Sequence, residues 1–238
     1  NLAGNDIDVF GLTHFIVDRS AGFAEGYFKG TASVGSAVGI PVVAGATNGI
    51  SGFGEFDWHA GVDYQSIQGR VGVAMYSMTG GLGVNVGGGT AMETGLFLGI
   101  NAPKDKAWVM NGMNGKFGLN KGGLPNRLTG FYAYLGIKQS VSLFIVSGGY
   151  ESYAGIGLFA PTPDVPTGGA FGNFGIYIWG KILGGLVSAA AWGNLQMGVA
   201  LPPSFHGAVG LEACVLWVAC GSVDISVGFN RDDGFYMY

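Results

Sequence analysis

Glycine alternates with bulky apolar residues at a spacing of two over long stretches of this chain, and that pattern allows few folds other than a sheet. Forty-seven of the 238 residues are glycine, about three times the average share. In Gly83-Val84-Asn85-Val86-Gly87 and Gly155-Ile156-Gly157-Leu158, one face of an extended chain carries aliphatic side chains and the other is nearly bare backbone. The alternation predicts an all-β chain: an antiparallel meander of long glycine-rich strands forming a barrel or a large curved sheet, residues 1–238 making one domain. That length is ordinary for a single all-β unit.

Charge is scarce. Asp, Glu, Lys and Arg make up 11% of the residues while 48% are hydrophobic, against roughly 25% charged in an ordinary soluble domain. So little charge cannot coat a conventional globule: either much of the surface faces lipid or other protein, or the chain is one part of a larger sheet covered elsewhere, or it self-associates in solution. The net charge of −4 and the single, scattered Lys and Arg leave no basic footprint, so nucleic acid is not an expected partner. The start at Asn1, with no charged stretch, apolar core and cleavage site after it, suits a mature secreted chain or a piece of a longer one.

Gly, Asn and Pro punctuate the sequence into expected strands at Asp6–Asp18, Gly22–Ser36, Gly54–Gln65, Gly69–Met78, Gly83–Gly87, Met92–Ile100, Phe131–Gly148, Tyr150–Phe159, Phe171–Lys181, Leu186–Leu201 and Phe205–Asn230, several of them long enough to be two paired strands. Residues 101–106, 120–126 and 161–166 read as loops. The segment Ile182–Leu201 has the length of a membrane helix and no charge, but its glycines together with Asn194 and Gln196 argue for a strand.

The cleanest alternation is Gly54–Tyr64. Phe56, Trp58, Ala60, Val62 and Tyr64 share one parity, and Glu55, Asp57, His59 and Asp63 share the other. Glu55, Asp57, His59 and Asp63 are therefore the candidate binding residues, a polar face lining a lumen or groove. On one strand, neighbours of like parity stand ~6.6–7 Å apart. That separation keeps them from closing around a metal by themselves, so no metal and no cofactor is expected. No nucleophile and base stand at a recognised catalytic spacing, and the glycine strings lack the Lys-Ser/Thr of a phosphate loop; the chain is not expected to be an enzyme.

Cys214 and Cys220 are the only cysteines. On a continuous strand they would lie ~20 Å apart, far beyond bridging distance. A disulfide is possible only if Val215 to Ala219 turn back as a hairpin, and Val-Leu-Trp-Val is poor turn material. This reading favours two buried thiols over a bridge.

The chain ends Gly234-Phe235-Tyr236-Met237-Tyr238. A terminal aromatic closing a last β-strand, with Tyr236 at the alternate position, resembles the C-terminal signal of bacterial outer-membrane β-barrels; Asn230 and Asp232 interrupt the series and make the last strand short. The alternating glycine and aliphatic residues around Ala-Cys-Val-Leu-Trp-Val-Ala-Cys-Gly also look like glycine-rich β regions of bacterial envelope proteins. The resemblance implies a structural, pore-like or scaffold protein of the outer membrane or cell surface. Its partners would be the lipid bilayer, other envelope proteins or further copies of itself. Two other readings fit the low charge: a self-assembling extracellular β-protein, and a carrier enclosing lipid or another apolar ligand.

Overall fold

The computed structural model describes all residues except 1–2, 41–43, 82–83, 112–123, 163–167, 201–203, 217 and 231–233. Twelve strands follow one another in an antiparallel meander, each paired with its neighbours in sequence. They are β1 (Ala3–Asp18), β2 (Phe23–Ile40), β3 (Ala44–Gly61), β4 (Gln65–Gly81), β5 (Val84–Pro103), β6 (Arg127–Leu143), β7 (Val146–Phe159), β8 (Gly169–Ile182), β9 (Val187–Ala200), β10 (Ser204–Val215), β11 (Ala219–Asn230) and β12 (Gly234–Met237). Among the described residues no ladder joins β12 to β1, so the sheet is open rather than closed into a barrel. The fold class read from the glycine alternation is the one observed.

Several expected strands have different bounds. Gly54–Gln65 is the second half of β3, a turn, and the first residue of β4. The expected Gly83–Gly87 and Met92–Ile100 are one strand, β5, because the intervening glycines stay in the ladder opposite Ser140 to Ser142. Phe131–Gly148 and Phe205–Asn230 each contain a hairpin turn. Residues 187–200 are strand β9, as Asn194 and Gln196 suggested, and no helix among the described residues is long and apolar enough to cross a membrane.

The ladder registers carry one parity through the whole sheet. His14, Tyr27, Asp57, Gln68, Phe97, Tyr132, Gly157, Phe171, Gly198, Ser204 and their like-parity neighbours form one face. This is the inner face, because the β5–β6 connection packs onto it and its side chains include the buried ones: Phe97, Tyr132, Tyr134, Tyr153, Phe159 and Phe171, with the polar Ser66, Gln68, Glu93, Glu151, Asn173 and Gln196. The outer face carries Val71, Val73, Met75, Leu96, Leu98, Leu135, Ile156, Leu158, Phe174, Ile178, Leu195, Val209, Leu211, Val223 and Ile225, all exposed. Within the strands, Glu25, Lys29, Glu55, Asp57, Arg70, Glu93, Lys138, Glu151, Lys181, Glu212 and Asp224 all have inner parity. Arg127, the first residue of β6, is the described strand charge on the outer face. A sheet that puts its charge inside and its aliphatic residues outside inverts the ordering of a water-soluble globule.

Glycine makes room for aromatic rings. Gly26 faces Trp58, Gly49 faces Tyr76, Gly72 faces Phe53, Gly95 faces Tyr134, Gly210 faces Trp192 and Gly228 faces Tyr236 in the ladders. In each pair a Cβ on the glycine would overlap the opposite ring. The ring covers backbone that glycine leaves bare, an established device for pinning register in glycine-rich sheets.

Candidate functional site

The inner face between β2 and β8 holds a polar network with the aromatic core beside it. Glu55 lies opposite Arg70 across the β3–β4 ladder. Arg70 donates from Nε to Glu55 Oε2 at 2.9 Å, and its Nη2 lies 2.8 Å from the same oxygen. The Tyr27 hydroxyl donates to Glu55 Oε1 at 2.8 Å. Arg70 Nη1 also lies 3.7 Å from Glu93 Oε1, which accepts a hydrogen bond from the Tyr134 hydroxyl. Tyr134 packs edge-on against Tyr153 with ring centroids 6.0 Å apart. Asn173 receives the Tyr132 hydroxyl at 3.1 Å and donates to the Tyr153 hydroxyl. Lys138 pairs with Glu151 directly opposite it. Burying so much polarity is tolerable only because the groups satisfy one another.

The β5–β6 connection, in its described parts at residues 104–111 and 124–126, packs onto this face. Its 3₁₀ turn, Trp108–Asn111, buries Val109 and Met110, and Ala107 and Leu124 are buried beside Phe97, Leu128 and Tyr132 in the same core. Gln68 fixes the turn through both ends of its amide, donating to the Lys106 carbonyl at 2.8 Å and accepting from the Val109 N–H at 3.3 Å. The Trp108 indole N–H donates to Asp57 Oδ2 at 3.4 Å, and the Arg70 guanidinium lies 5.5 Å from a Trp108 ring centroid. The inner face is thus covered here by its own chain, a hydrophobic plug with a polar seat.

Glu55, Asp57 and His59 share the inner face, as their spacing predicts, but do not converge on one point. Glu55 goes to Tyr27 and Arg70, Asp57 goes to Trp108, and His59 lies between Tyr64 and Phe23, its ring 3.9 Å from the first and 5.3 Å from the second. His59 Nδ1 is 3.4 Å from Glu25 Oε2 and Nε2 is 3.6 Å from Asp63 Oδ1, the latter beyond hydrogen-bonding reach. Asp63 and Val62 are not on the strand, as the alternation suggested; β3 ends at Gly61, and they form the turn to β4. Tyr64, expected on the apolar parity, folds back over His59 instead. Burial raises the Tyr64 phenol above its ordinary value, with the Asp63 charge adding to the effect. At Asp63 desolvation acts upward, but backbone N–H groups of Tyr64 and of Asp63 itself, with His59, hold the carboxyl below its usual value. No cluster of three or more potential ligands that could hold a metal occurs among the described residues.

Cys214 and Cys220 form a disulfide, which corrects the expectation of free thiols. They are cross-strand partners in the β10–β11 ladder with Cα atoms 4.1 Å apart. The hairpin forms because Leu216 takes a left-handed conformation, φ 55°, a turn the apolar side chains did not advertise. Arg70, Gln68, Glu93 and Trp108, with the tyrosines and Asn173, are network members that the sequence pattern did not single out. A signal for two of them existed: Ser66, Gln68 and Arg70 alternate with Ile67, Gly69 and Val71, the same two-faced pattern as in β3. The comparison with protein-family models gives no match, and neither does that with curated sequences.

Proposed function

We propose that the chain is a β protein of the bacterial outer membrane that acts as a sealed structural scaffold rather than an open pore or an enzyme. The observation that carries this reading is the segregation of charge by parity. On the inner face Arg70 pairs with Glu55 and Glu93 and Lys138 with Glu151, and the outer face carries a continuous run of exposed aliphatic side chains of the kind a soluble monomer rarely shows. Strands β1 to β11 run from 12 to 20 residues, longer than the ~9–11 a tilted strand needs to cross the hydrocarbon. The plug of Ala107, Val109, Met110 and Leu124 supports scaffold over pore, because a solute would have to displace a buried apolar cluster.

The test is recovery from membranes. The protein should stay with lipid through an alkaline carbonate wash, leave it in detergent as a discrete particle within a micelle, and add no conductance to a planar bilayer. Leu135→Arg, on the outer face, should cost about 2–4 kcal/mol in the bilayer if it lies near the midplane and reduce the membrane fraction. Steady conductance steps would replace the scaffold by a pore, and quantitative release by carbonate would overturn the membrane reading.

One observation favours a second reading. The side of β1 away from β2, and the side of Ala219–Ile225 of β11 away from β10, have no ladder partner among the described residues, and such edges are templates for joining further copies. Filaments that form without lipid would support self-assembly as the function.

A further inference from the structure

The outer face is not uniformly filled. Two adjoining hollows, of about 390 and 610 Å³, lie over β2 to β6 and share Ile67 and Leu98. Small residues deepen them: Gly54 and Gly69 in the first, Ala60, Gly99 and Gly130 in the second. Phe28 and Phe56 flank one hollow, Trp58 and Phe131 the other. Together they form an apolar channel that runs toward the end of the sheet where β5 gives way to its connection.

At that end stands Arg127. It shares the outer parity with Phe131, four residues and ~13 Å along the strand. It is exposed, and its Nη1 donates to the Asn101 carbonyl at 3.2 Å, one of the five N–H donors a guanidinium carries. Asp63, whose carbonyl accepts from the Asn101 side-chain amide, has its carboxylate beside His59. A guanidinium one side-chain reach beyond the Phe131 end of an apolar groove, on a face whose other described strand residues carry no charge, has the chemistry of an amphiphile site: hydrocarbon in the groove, an anionic headgroup at the cation.

We propose that this channel is a binding site for an anionic phospholipid, with one acyl chain lying along Ile67, Leu98 and Phe131 and the phosphate at Arg127. The inference rests on the membrane reading above. Charge complementarity selects this occupant: a neutral apolar ligand would make no use of Arg127, and a second copy offering the same outer face would bring guanidinium toward guanidinium.

The protein should be reconstituted into phosphatidylcholine vesicles containing about one-fifth phosphatidylglycerol, extracted gently, and its retained lipids counted by native mass spectrometry. Phosphatidylglycerol should be enriched about fivefold over its share of the vesicle, the gain expected from one basic residue at a membrane surface. Arg127→Gln should abolish the enrichment. Arg19→Gln, an exposed cation in the β1–β2 turn at the same end, should leave it intact. Ala60→Trp, which fills the groove without changing charge, should lose the retained lipid. Membrane retention without enrichment, or enrichment that survives Arg127→Gln, would overturn the site and leave the membrane reading standing. Failure to enter the vesicles at all would overturn both.

Discussion

Gly95 lies directly opposite Tyr134 across the β5–β6 ladder, and the phenol ring lies over the glycine so closely that any Cβ there would overlap it. Tyr134 is also the residue that hydrogen-bonds Glu93 and packs against Tyr153. Gly95→Val should therefore displace the ring and cost about 1–3 kcal/mol, the usual range for overpacking. Gly180→Val, at a position where a Cβ would meet nothing within 4 Å, should be close to neutral. Urea unfolding of both variants in detergent reads the difference, and equal losses would show that the ring does not depend on the glycine.

Arg70 sits against the carboxylates of Glu55 and Glu93 and the ring of Trp108. Arg70→Met should cost about 3–5 kcal/mol, because it leaves two inward carboxylates without their cation. Adding Glu93→Gln to that variant should restore part of the loss, since it removes one of the stranded charges. The same unfolding measurement checks both, with the protein kept in one detergent throughout.

The Cys214–Cys220 bridge closes a short loop, with a sequence separation of 6. The chain-entropy estimate for so short a loop is about 2 kcal/mol. The double variant Cys214→Ser/Cys220→Ser should lose about that much, and reduction of the wild-type protein should lose the same. A thiol-alkylation mass shift that appears only after reduction would verify the bond independently.

Asp63 is held below its usual pKa in the folded chain. A depressed carboxyl contributes stability that is fully present above its unfolded value, ~3.9, and is lost as pH falls through the lower folded value. Asp63→Asn should flatten that part of the acid limb and leave stability at neutral pH little changed, since the group is exposed and screened. Parallel stability curves for variant and wild type between neutral and acid pH would argue against the turn geometry around Tyr64.

The fold class was legible because parity is local. Phe56, Trp58 and Ala60 against Glu55, Asp57 and His59 already state which face is which, and the ladder merely extends that statement from strand to strand. The network was less legible, because Glu55–Arg70 and Glu93–Tyr134 depend on register, which no short window contains. Trp108 lies just past the 101–106 loop with no patterned neighbours, and its place comes from Asp57 and from the Gln68 that holds its turn, dozens of residues earlier in the chain. The cysteines misled for a similar reason. The reversal between Val215 and Ala219 has Leu216 in a backbone conformation that its side chain does not favour, and the pairing of β10 with β11 imposes it.

The open margin of β1 has a bearing on how such a chain is handled before it reaches its destination. Phe10, Leu12, Phe15 and Val17 are exposed along it, next to backbone donors and acceptors that no neighbouring strand takes up among the described residues. In water such a margin recruits any extended segment it meets, its own kind included. If the membrane reading proposed above holds, this margin needs cover during delivery, and the rate of insertion then governs yield as firmly as the stability of the finished sheet.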